Sequence, residues 1–322
     1  MQYKPLGSSG IEVSVVGFGA WGIGGRTPGA TSYGATKDDV SLRALAEALD
    51  NGITFYDTAS VYGDGHSEEL IGTCFARCRD RVVIATKAGI LPSFKGYDFS
   101  PAALRASLEG SLARLRTDYV DVLQLHNVEP ATVLNEPQIA DLLNSFVREG
   151  KVRAYGFSTP SPDDALALLA VPHNACIQVN LNLLDWRGID NGLFDAARSR
   201  NVGIVARTPL AFGFLTGRFD RDATFPPEDH RSRWPQARIA AWVEAADAVF
   251  AAMGVAADES ARVAVALRFC LSFDAVTTVI PGMLAPDEVR TNIAAAAAGG
   301  LDAAEMAQIE QIYRQHHSRL AA

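Results

Sequence analysis

Three apolar segments of the chain each end in a residue that can take part in acid–base chemistry. Asp57 ends one segment and Tyr62 follows it closely, Lys87 ends the next, and His126 ends a third. Each segment is typical of a buried β-strand, and in a barrel of alternating strands and helices the strand ends meet at one face. A tyrosine has an ordinary pKa of about 10, and an ammonium group held beside it by a carboxylate makes the phenol more acidic. The four residues therefore predict a site that donates a proton to a carbonyl oxygen.

Each of these residues also has a purely structural explanation. Asp57 can cap a helix, Tyr62 can be a half-buried loop aromatic, and His126 can be a packed core histidine. Lys87 is different, because a lysine that ends an apolar run is unfavourable to bury unless a carboxylate compensates it. An ion pair between Lys87 and Asp57 explains both residues and favours the catalytic interpretation. The position of His126 after the fourth strand suits a role in orienting a substrate oxygen.

Apolar, β-rich segments alternate with amphipathic segments, which is the pattern of parallel β–α units. Eight strands are predicted, at residues 13–19, 53–57, 82–87, 120–126, 152–158, 176–180, 203–207 and 277–280. Before them, residues 3–9 and 11–13 flank a Ser-Gly turn and predict a short hairpin. Ser100 and Ser161, each followed by proline, predict helix starts, and Thr36 with Asp39 predicts another.

Length and composition agree with one α/β domain over residues 1–322. The chain has 322 residues, of which 48% are hydrophobic, and no Ser/Pro-rich or charged linker interrupts it. Barrels of β–α units commonly exceed about 250 residues as a single domain. The net charge of -8 argues against nucleic acid as a partner. No apolar signal core or membrane-length apolar stretch is visible, so a soluble, cytoplasmic protein without membrane contact is expected.

Two local motifs, one for dinucleotide binding and one for zinc binding, are not supported by the residues around them. Residues 17–22 match the dinucleotide fingerprint G-x-G-x-x-G, but more glycines and a proline follow, and the next helix is predicted only near Thr36. A Rossmann fold is therefore not predicted, and the glycines instead allow a ligand to approach the backbone. The cysteines are sparse and lack the second Cys/His pair of a zinc site, which predicts reduced thiols and no metal: Cys74, Cys78, Cys176 and Cys270.

The order of these residues resembles that of the aldo-keto reductases, NAD(P)(H)-dependent oxidoreductases built on a (β/α)8 barrel. The family tetrad of Asp, Tyr, Lys and His is matched by Asp57, Tyr62, Lys87 and His126. The likeness runs from residues 3–7 to residues 280–282 and Asn292, nearly the whole chain. It implies an enzyme that transfers a hydride reversibly between a nicotinamide cofactor and a small aldehyde, ketone or sugar-type carbonyl or alcohol. Tyr62 would be the general acid and base, and the N-terminal hairpin would close the barrel bottom.

Candidate cofactor-binding residues lie at strand ends and in the adjoining loops. Ser158, Gln178 and Asn180 end the fifth and sixth strands, where a hydroxyl and amides can fix the nicotinamide carboxamide. Arg207 stands where many relatives place an aromatic ring under the nicotinamide, and a guanidinium plane can also stack on a ring. The remaining candidates come from the resemblance: Gly19, Ala20, Trp21, Pro209, Leu210, Gly213, Leu215, Thr216, Gly217, Gly282, Met283, Glu288 and Asn292.

The region after the last strand bears on the choice between NADP(H) and NAD(H). NADPH-dependent relatives commonly present Lys or Arg to the 2′-phosphate, whereas Gly282, Met283 and Leu284 are uncharged. Glu288 would repel a 2′-phosphate but could accept a hydrogen bond from the free 2′-hydroxyl of NAD. Arg290 restores phosphate binding if its helix turns it inward. NADP(H) is the family default, with NAD(H) as the alternative.

Two other functions are compatible with part of the pattern. Some relatives are accessory subunits of channels, so a cofactor-sensing regulatory subunit is the alternative to an enzyme, although the complete tetrad argues against it. A metal-dependent barrel hydrolase needs several His and Asp ligands at strand ends, and only His126 is suitably placed. For a carbonyl substrate, Trp21, Phe94 and Trp234 are candidates for the mouth of the pocket or for packing on the barrel rim.

Overall fold

Strands and helices alternate along the chain from β3 onward. The computed structural model describes residues 1–255 and 258–320, with side chains up to residue 316. The strands are β1 (Tyr3–Pro5), β2 (Glu12–Ser14), β3 (Phe18–Gly19), β4 (Phe55–Asp57), β5 (Val83–Ala88), β6 (Val120–His126), β7 (Val152–Ser158), β8 (Asn174–Asn180), β9 (Gly203–Arg207) and β10 (Val276–Ile280). The helices are α1 (Asp38–Asp50), α2 (His66–Phe75), α3 (Pro101–Leu115), α4 (Pro130–Leu134), α5 (Pro137–Arg148), α6 (Pro162–Leu168), α7 (Arg187–Asp190), α8 (Leu193–Ser199), α9 (Gln236–Ala252), α10 (Glu259–Leu271), α11 (Pro286–Ala296) and α12 (Ala303–Leu320).

The eight strands β3 to β10 form a barrel in which neighbours are parallel and follow chain order. Bridges from Val16 to Val279 and from Gly19 to Gly282 join its first and last strands. Parallel neighbours need long crossover connections, and the helices that provide them bury the outer face of the sheet. This explains why the strands read as continuous apolar runs. The predicted (β/α)8 barrel is confirmed.

The predicted strand at residues 13–19 is divided in the structure. β2 ends at Ser14 because it pairs antiparallel with β1 in the hairpin, whereas β3 begins at Phe18 and pairs with β4 in the barrel. The residues are buried in both sheets, so hydrophobicity alone does not mark the change of sheet. The other seven strands begin and end within two residues of their predicted bounds.

The N-terminal hairpin closes the end of the barrel where the strands begin. Leu6, Ile11 and Val13 are buried in one cluster with inward-facing barrel residues, among them Phe55 and Val122. The turn after β1 contacts β8 and β9. The hairpin therefore supplies the apolar floor of the barrel, as the resemblance implied.

The three predicted helix starts, near Thr36, Ser100 and Ser161, are each confirmed to within two residues. The hydroxyls of Ser100 and Ser161 accept N–H bonds from the first turns of α3 and α6, with proline at the first helical position. No α-helix follows directly on residues 17–22, in agreement with the rejected Rossmann fold. The helix predicted after Thr36 is present as α1, but the capping pair of Thr36 and Asp39 is wrong, because the Thr36 hydroxyl donates to the carbonyl of Ile23 and α1 begins without a side-chain cap. No helix within residues 1–255 and 258–320 is long and apolar enough to cross a membrane.

Candidate active site

Lys87 lies at the centre of the candidate site, completely buried in β5. Its Nζ donates to Asp57 Oδ1 at 2.5 Å, to the Thr58 carbonyl at 2.8 Å and to the Tyr62 hydroxyl oxygen at 3.1 Å. Burial by itself lowers the pKa of Lys87, but Asp57 and Tyr62 raise it, and overall the pKa is raised. The ion pair that the sequence predicts is therefore present, with the phenol as the third member of the cluster.

Two side-chain amides complete the surroundings of Asp57, which is 2% exposed. Gln124 Nε2 and Gln178 Nε2 donate to Asp57 Oδ2 at 3.1 and 2.7 Å. One carboxylate oxygen thus binds the ammonium and the other binds two amides, which satisfies a buried charge and fixes its orientation. Gln124 was missed by the sequence analysis. The sequence feature that could have identified Gln124 is its polarity within the apolar run of β6.

A hydrogen-bonded chain continues from Asp57 along the floor of the site. Ser158 Oγ donates to Gln178 Oε1 at 3.1 Å, and Arg207 Nη1 donates to Ser158 Oγ at 3.1 Å. Arg207 Nε donates to Asn180 Oδ1 at 2.8 Å. These residues lie at or within two residues of the ends of three consecutive strands, β7, β8 and β9, which is why the barrel brings them together. Burial lowers the pKa of Arg207, but a guanidinium remains charged at any physiological pH.

His126 is held in its neutral form beside the phenol. It ends β6, is 5% exposed, and its ring packs edge-on against that of Tyr62 with a centroid distance of 6.0 Å. Burial lowers its pKa well below the usual value, and the positive charges of Lys87 and Arg207 lower it further. A neutral imidazole has one N–H donor, which can bind a substrate oxygen.

A cleft of about 560 Å³ opens at the carboxyl ends of the barrel strands, above these residues. Most of the predicted site residues line it: Gly19, Ala20, Trp21, Asp57, Tyr62, His126, Gln178, Arg207, Pro209, Leu210, Gly213, Thr216, Gly282 and Glu288. Other candidates are buried and are not among the residues that line the cleft: Lys87, Ser158, Leu215, Met283 and Asn292. Gly217 is exposed at the surface beside it. The barrel therefore gathers residues from both halves of the chain around one opening.

Arg218 is a cation at the cleft that the sequence analysis missed. Its Nη1 donates to Glu288 Oε1 at 3.1 Å and its Nε donates to Glu259 Oε1 at 2.6 Å. The other oxygen of Glu288 accepts the Leu284 N–H at 2.8 Å. Arg290 is turned away, since it pairs with Glu47 and its side chain is 58% exposed. The sequence feature that marks Arg218 is its position directly after Gly217, the last of the cofactor candidates in residues 209–217.

Aromatic rings from two long loops, residues 21–35 and residues 212–235, form one wall of the cleft. Trp21, predicted for this role, lies 4.9 Å from the ring of Tyr33 and 6.3 Å from that of Phe212, and all three line the cleft. Phe94 lines it as well. Trp234 does not, because it packs behind Phe212 at a centroid distance of 5.2 Å. Tyr33 and Phe212 were not predicted as lining residues, although both lie in these two loops.

Comparison with known proteins agrees with this geometry. The sequence profile of the Aldo/keto reductase family matches residues 15–314. Aldo-keto reductase YhdN of Bacillus subtilis (strain 168) is 34% identical over 242 residues, covering 73% of this chain and 70% of YhdN. The NADH-specific methylglyoxal reductase of Escherichia coli (strain K12) is 29% identical over 311 residues, 92% of this chain and 93% of that protein. The solved holo form of aldo-keto reductase AKR11C1 from Bacillus halodurans has a TM-score of 0.80 and 26% identity, with 97% and 96% of the two chains covered. The chain therefore belongs to the aldo/keto reductase family.

Proposed function

We propose that this oxidoreductase interconverts carbonyl compounds and alcohols with a nicotinamide cofactor, using Tyr62 as general acid and base. The observation that carries the proposal is the contact of Lys87 Nζ with both Asp57 and the Tyr62 oxygen at the base of an open cleft. A buried ammonium beside a phenolic oxygen stabilises the negative charge that develops there when the proton leaves. Asp57 keeps that ammonium in place.

The residues around the cleft fit a nicotinamide dinucleotide. At the floor, Arg207 uses Nε and Nη1 within the protein, while its Nη2 has no hydrogen-bond partner among the described residues. At the far end, Arg218 and the loop of residues 209–217 offer a cation and backbone amides for phosphates. Asn180 and Arg207 would hold the nicotinamide end. The bound cofactor would supply or accept the hydride.

The side chains of the site transfer the proton, orient the substrate and exclude water. In carbonyl reduction Tyr62 gives its hydroxyl proton to the substrate oxygen, and in alcohol oxidation its phenolate takes that proton back. Neutral His126 donates an N–H to the same oxygen and so fixes the carbonyl carbon relative to the phenol. The aromatic wall of Trp21, Tyr33 and Phe212 excludes water from one side of the cleft.

The substrate proposed is a small aldehyde, ketone or sugar-type carbonyl compound, or the corresponding alcohol. The rings of Trp21, Tyr33, Phe94 and Phe212 suit a molecule that presents an apolar face beside its polar groups. One relative is named for reducing methylglyoxal, a small aldehyde.

For the cofactor we keep NADP(H), with NAD(H) as the alternative. Arg218 is a cation at the cleft, where a 2′-phosphate can replace Glu288 as its partner. Glu288 as it stands favours the free ribose of NAD(H), and one relative is named as NADH-specific. Arg218 favours NADP(H) and Glu288 favours NAD(H), so the strength of the ion pair between them determines which cofactor is preferred.

The two alternatives have less support. A regulatory subunit does not require the assembled tetrad, and the relatives described above are named as reductases. A metal-dependent hydrolase requires clustered ligands, and within the described residues no group of three or more His, Cys, Asp or Glu is placed to hold a metal ion.

The substitution Tyr62→Phe tests the proposal. With an aromatic aldehyde and either NADPH or NADH, turnover should fall roughly a thousandfold or more, because only the transition state uses the phenolic proton. The dissociation constant of the reduced cofactor, measured by fluorescence titration, should change little. Tyr97→Phe is the matched control, since Tyr97 is 58% exposed. Near-normal turnover by the Tyr62 variant would remove Tyr62 from its role.

A further inference from the structure

Arg207 carries a positive charge at the cleft floor, and the carboxylates of Asp57 and Asp185 act on it only from a distance. Its hydrogen-bond partners are neutral oxygens of Asn180 at 2.8 Å, Ser158 at 3.1 Å and Asn127 at 3.5 Å. Within residues 1–255 and 258–316 it forms no ion pair. Three neutral acceptors hold the guanidinium firmly at the end of β9 without reducing its charge.

The other cations of the site are compensated. Lys87 pairs with Asp57 and Arg218 pairs with Glu288. Arg231, which also lines the cleft, pairs with Asp229 at 2.6 Å. His126 adds no charge, because its environment keeps the imidazole neutral. The floor beside the reacting groups therefore has a net charge close to that of one guanidinium.

The field of this guanidinium reaches the place where the reaction occurs. Arg207 hydrogen-bonds to Ser158, which pairs in register with His126, and Arg207, His126 and Tyr62 line the same cleft. Hydride transfer requires the nicotinamide ring to touch the carbon whose oxygen Tyr62 and His126 hold. The ring must therefore lie within the range of the Arg207 charge, whichever face it presents.

We propose that Arg207 makes the site discriminate between the two oxidation states of its cofactor, binding the reduced form more tightly than the oxidised form. The inference rests on the proposed function. The oxidised nicotinamide ring carries one more positive charge than the reduced ring, and a fixed cation in a site of low permittivity repels it. Tighter binding of the reduced form raises the reduction potential of the bound cofactor, by about 30 mV for each tenfold difference in a two-electron couple. The equilibrium between enzyme-bound substrates and products therefore shifts toward oxidation of the alcohol.

The test compares the dissociation constants of the oxidised and reduced cofactor, without substrate, by fluorescence titration and calorimetry. Arg207→Gln removes the charge. Asn180→Asp instead places a carboxylate 2.8 Å from Arg207 Nε and neutralises the charge without emptying any volume. We expect wild type to favour the reduced form, and the ratio of the two constants to fall about tenfold in each variant.

Two controls separate charge from contact. Arg207→Lys keeps the charge and should keep most of the ratio, even if both forms bind more weakly. Arg198→Gln removes a surface cation that pairs with Asp195 and should leave the ratio unchanged. If Asn180→Asp binds both forms with the wild-type ratio, the inference is wrong while the proposed function stands. If wild type binds neither form, the proposed function fails and the inference falls with it.

Discussion

The histidine of the site owes its neutrality to its surroundings. His126 is 5% exposed, and burial, Lys87 and Arg207 together lower its pKa well below the ordinary value. In the unfolded chain the same imidazole takes up a proton below a pH of about 6.5. The unfolded state then binds more protons than the folded state, so the free energy of unfolding decreases as the pH falls through that range. The contribution of His126 is fully present above a pH of about 6.5 and is lost progressively below it.

His126→Gln should therefore make stability less dependent on pH. Between a pH of about 7.5 and a pH of about 5.5, we expect wild type to lose about 1 kcal/mol more unfolding free energy than the variant. Urea unfolding at the two pH values measures the difference. His230, whose pKa burial lowers to about 4, is present in both proteins and cancels in the comparison. Parallel losses in the two proteins would show that His126 binds a proton equally well in both states.

At the scale of elements, the strand ends were predictable and the loops were less so. Asp57, Lys87 and His126 stand where apolar runs stop, and a parallel barrel brings such positions together whatever the helices between them. The aromatic wall depends instead on two loops distant in sequence. Ser32 and Asp229 form a bridge between these loops, and no spacing in the sequence specifies that contact. Residues that act through such long-range contacts were therefore missed.

Polar residues inside elements were missed for a different reason. Gln124 lies in the interior of β6, where an isolated amide looks like an interruption of an apolar run rather than a ligand of Asp57. Glu288, a predicted cofactor-binding residue, lines the cleft, but its partner Arg218 was not considered. The position of a side chain at a strand or helix end can be predicted from the local sequence. Its charge partner lies on another element, so the pair can be recognised only once the fold is known.

The first turn of α11 carries the prediction on cofactor choice. Glu288→Gln removes the carboxylate that binds Arg218 and opposes a 2′-phosphate, so the ratio of kcat/KM for NADPH to kcat/KM for NADH should rise. We expect about a tenfold change, the lower end for a charge-assisted hydrogen bond, because the Arg218 side chain is 51% exposed and solvent screens the pair. Both specificity constants are to be measured at one ionic strength.

Glu47→Gln is the control for that experiment, because Glu47 pairs with Arg290 of the same helix outside the cleft. It removes one carboxylate near α11 and should not change the ratio. A wild-type ratio in Glu288→Gln, or equal changes in both variants, would show that the Arg218 pair does not select the cofactor.

At the scale of the whole molecule, the hairpin that stabilises the barrel and the cleft that holds the site lie at opposite ends of the barrel axis. The hairpin and its apolar cluster close the end where the strands begin, while the cleft lies at the ends where they stop. Barrel enzymes can vary one end without disturbing the other for this reason. A change confined to the hairpin end of the barrel should reduce the free energy of unfolding and leave the turnover of the folded enzyme unchanged.

Gly7→Ala tests that separation against Gly10→Ala. Both glycines have positive φ, 53° and 72°, so a side chain at either position is strained. At Gly7 a Cβ would also lie 2.4 Å from the Ala175 carbonyl oxygen and 2.7 Å from the Gly203 nitrogen, whereas at Gly10 it would meet nothing within 4 Å. Backbone atoms of two barrel strands cannot move aside cheaply. We expect a loss of about 2–5 kcal/mol for Gly7→Ala and about 1–2 kcal/mol for Gly10→Ala in urea unfolding. Turnover measured well below the unfolding temperature should match wild type in both, and equal losses of stability would show that the hairpin does not pack tightly against the barrel floor.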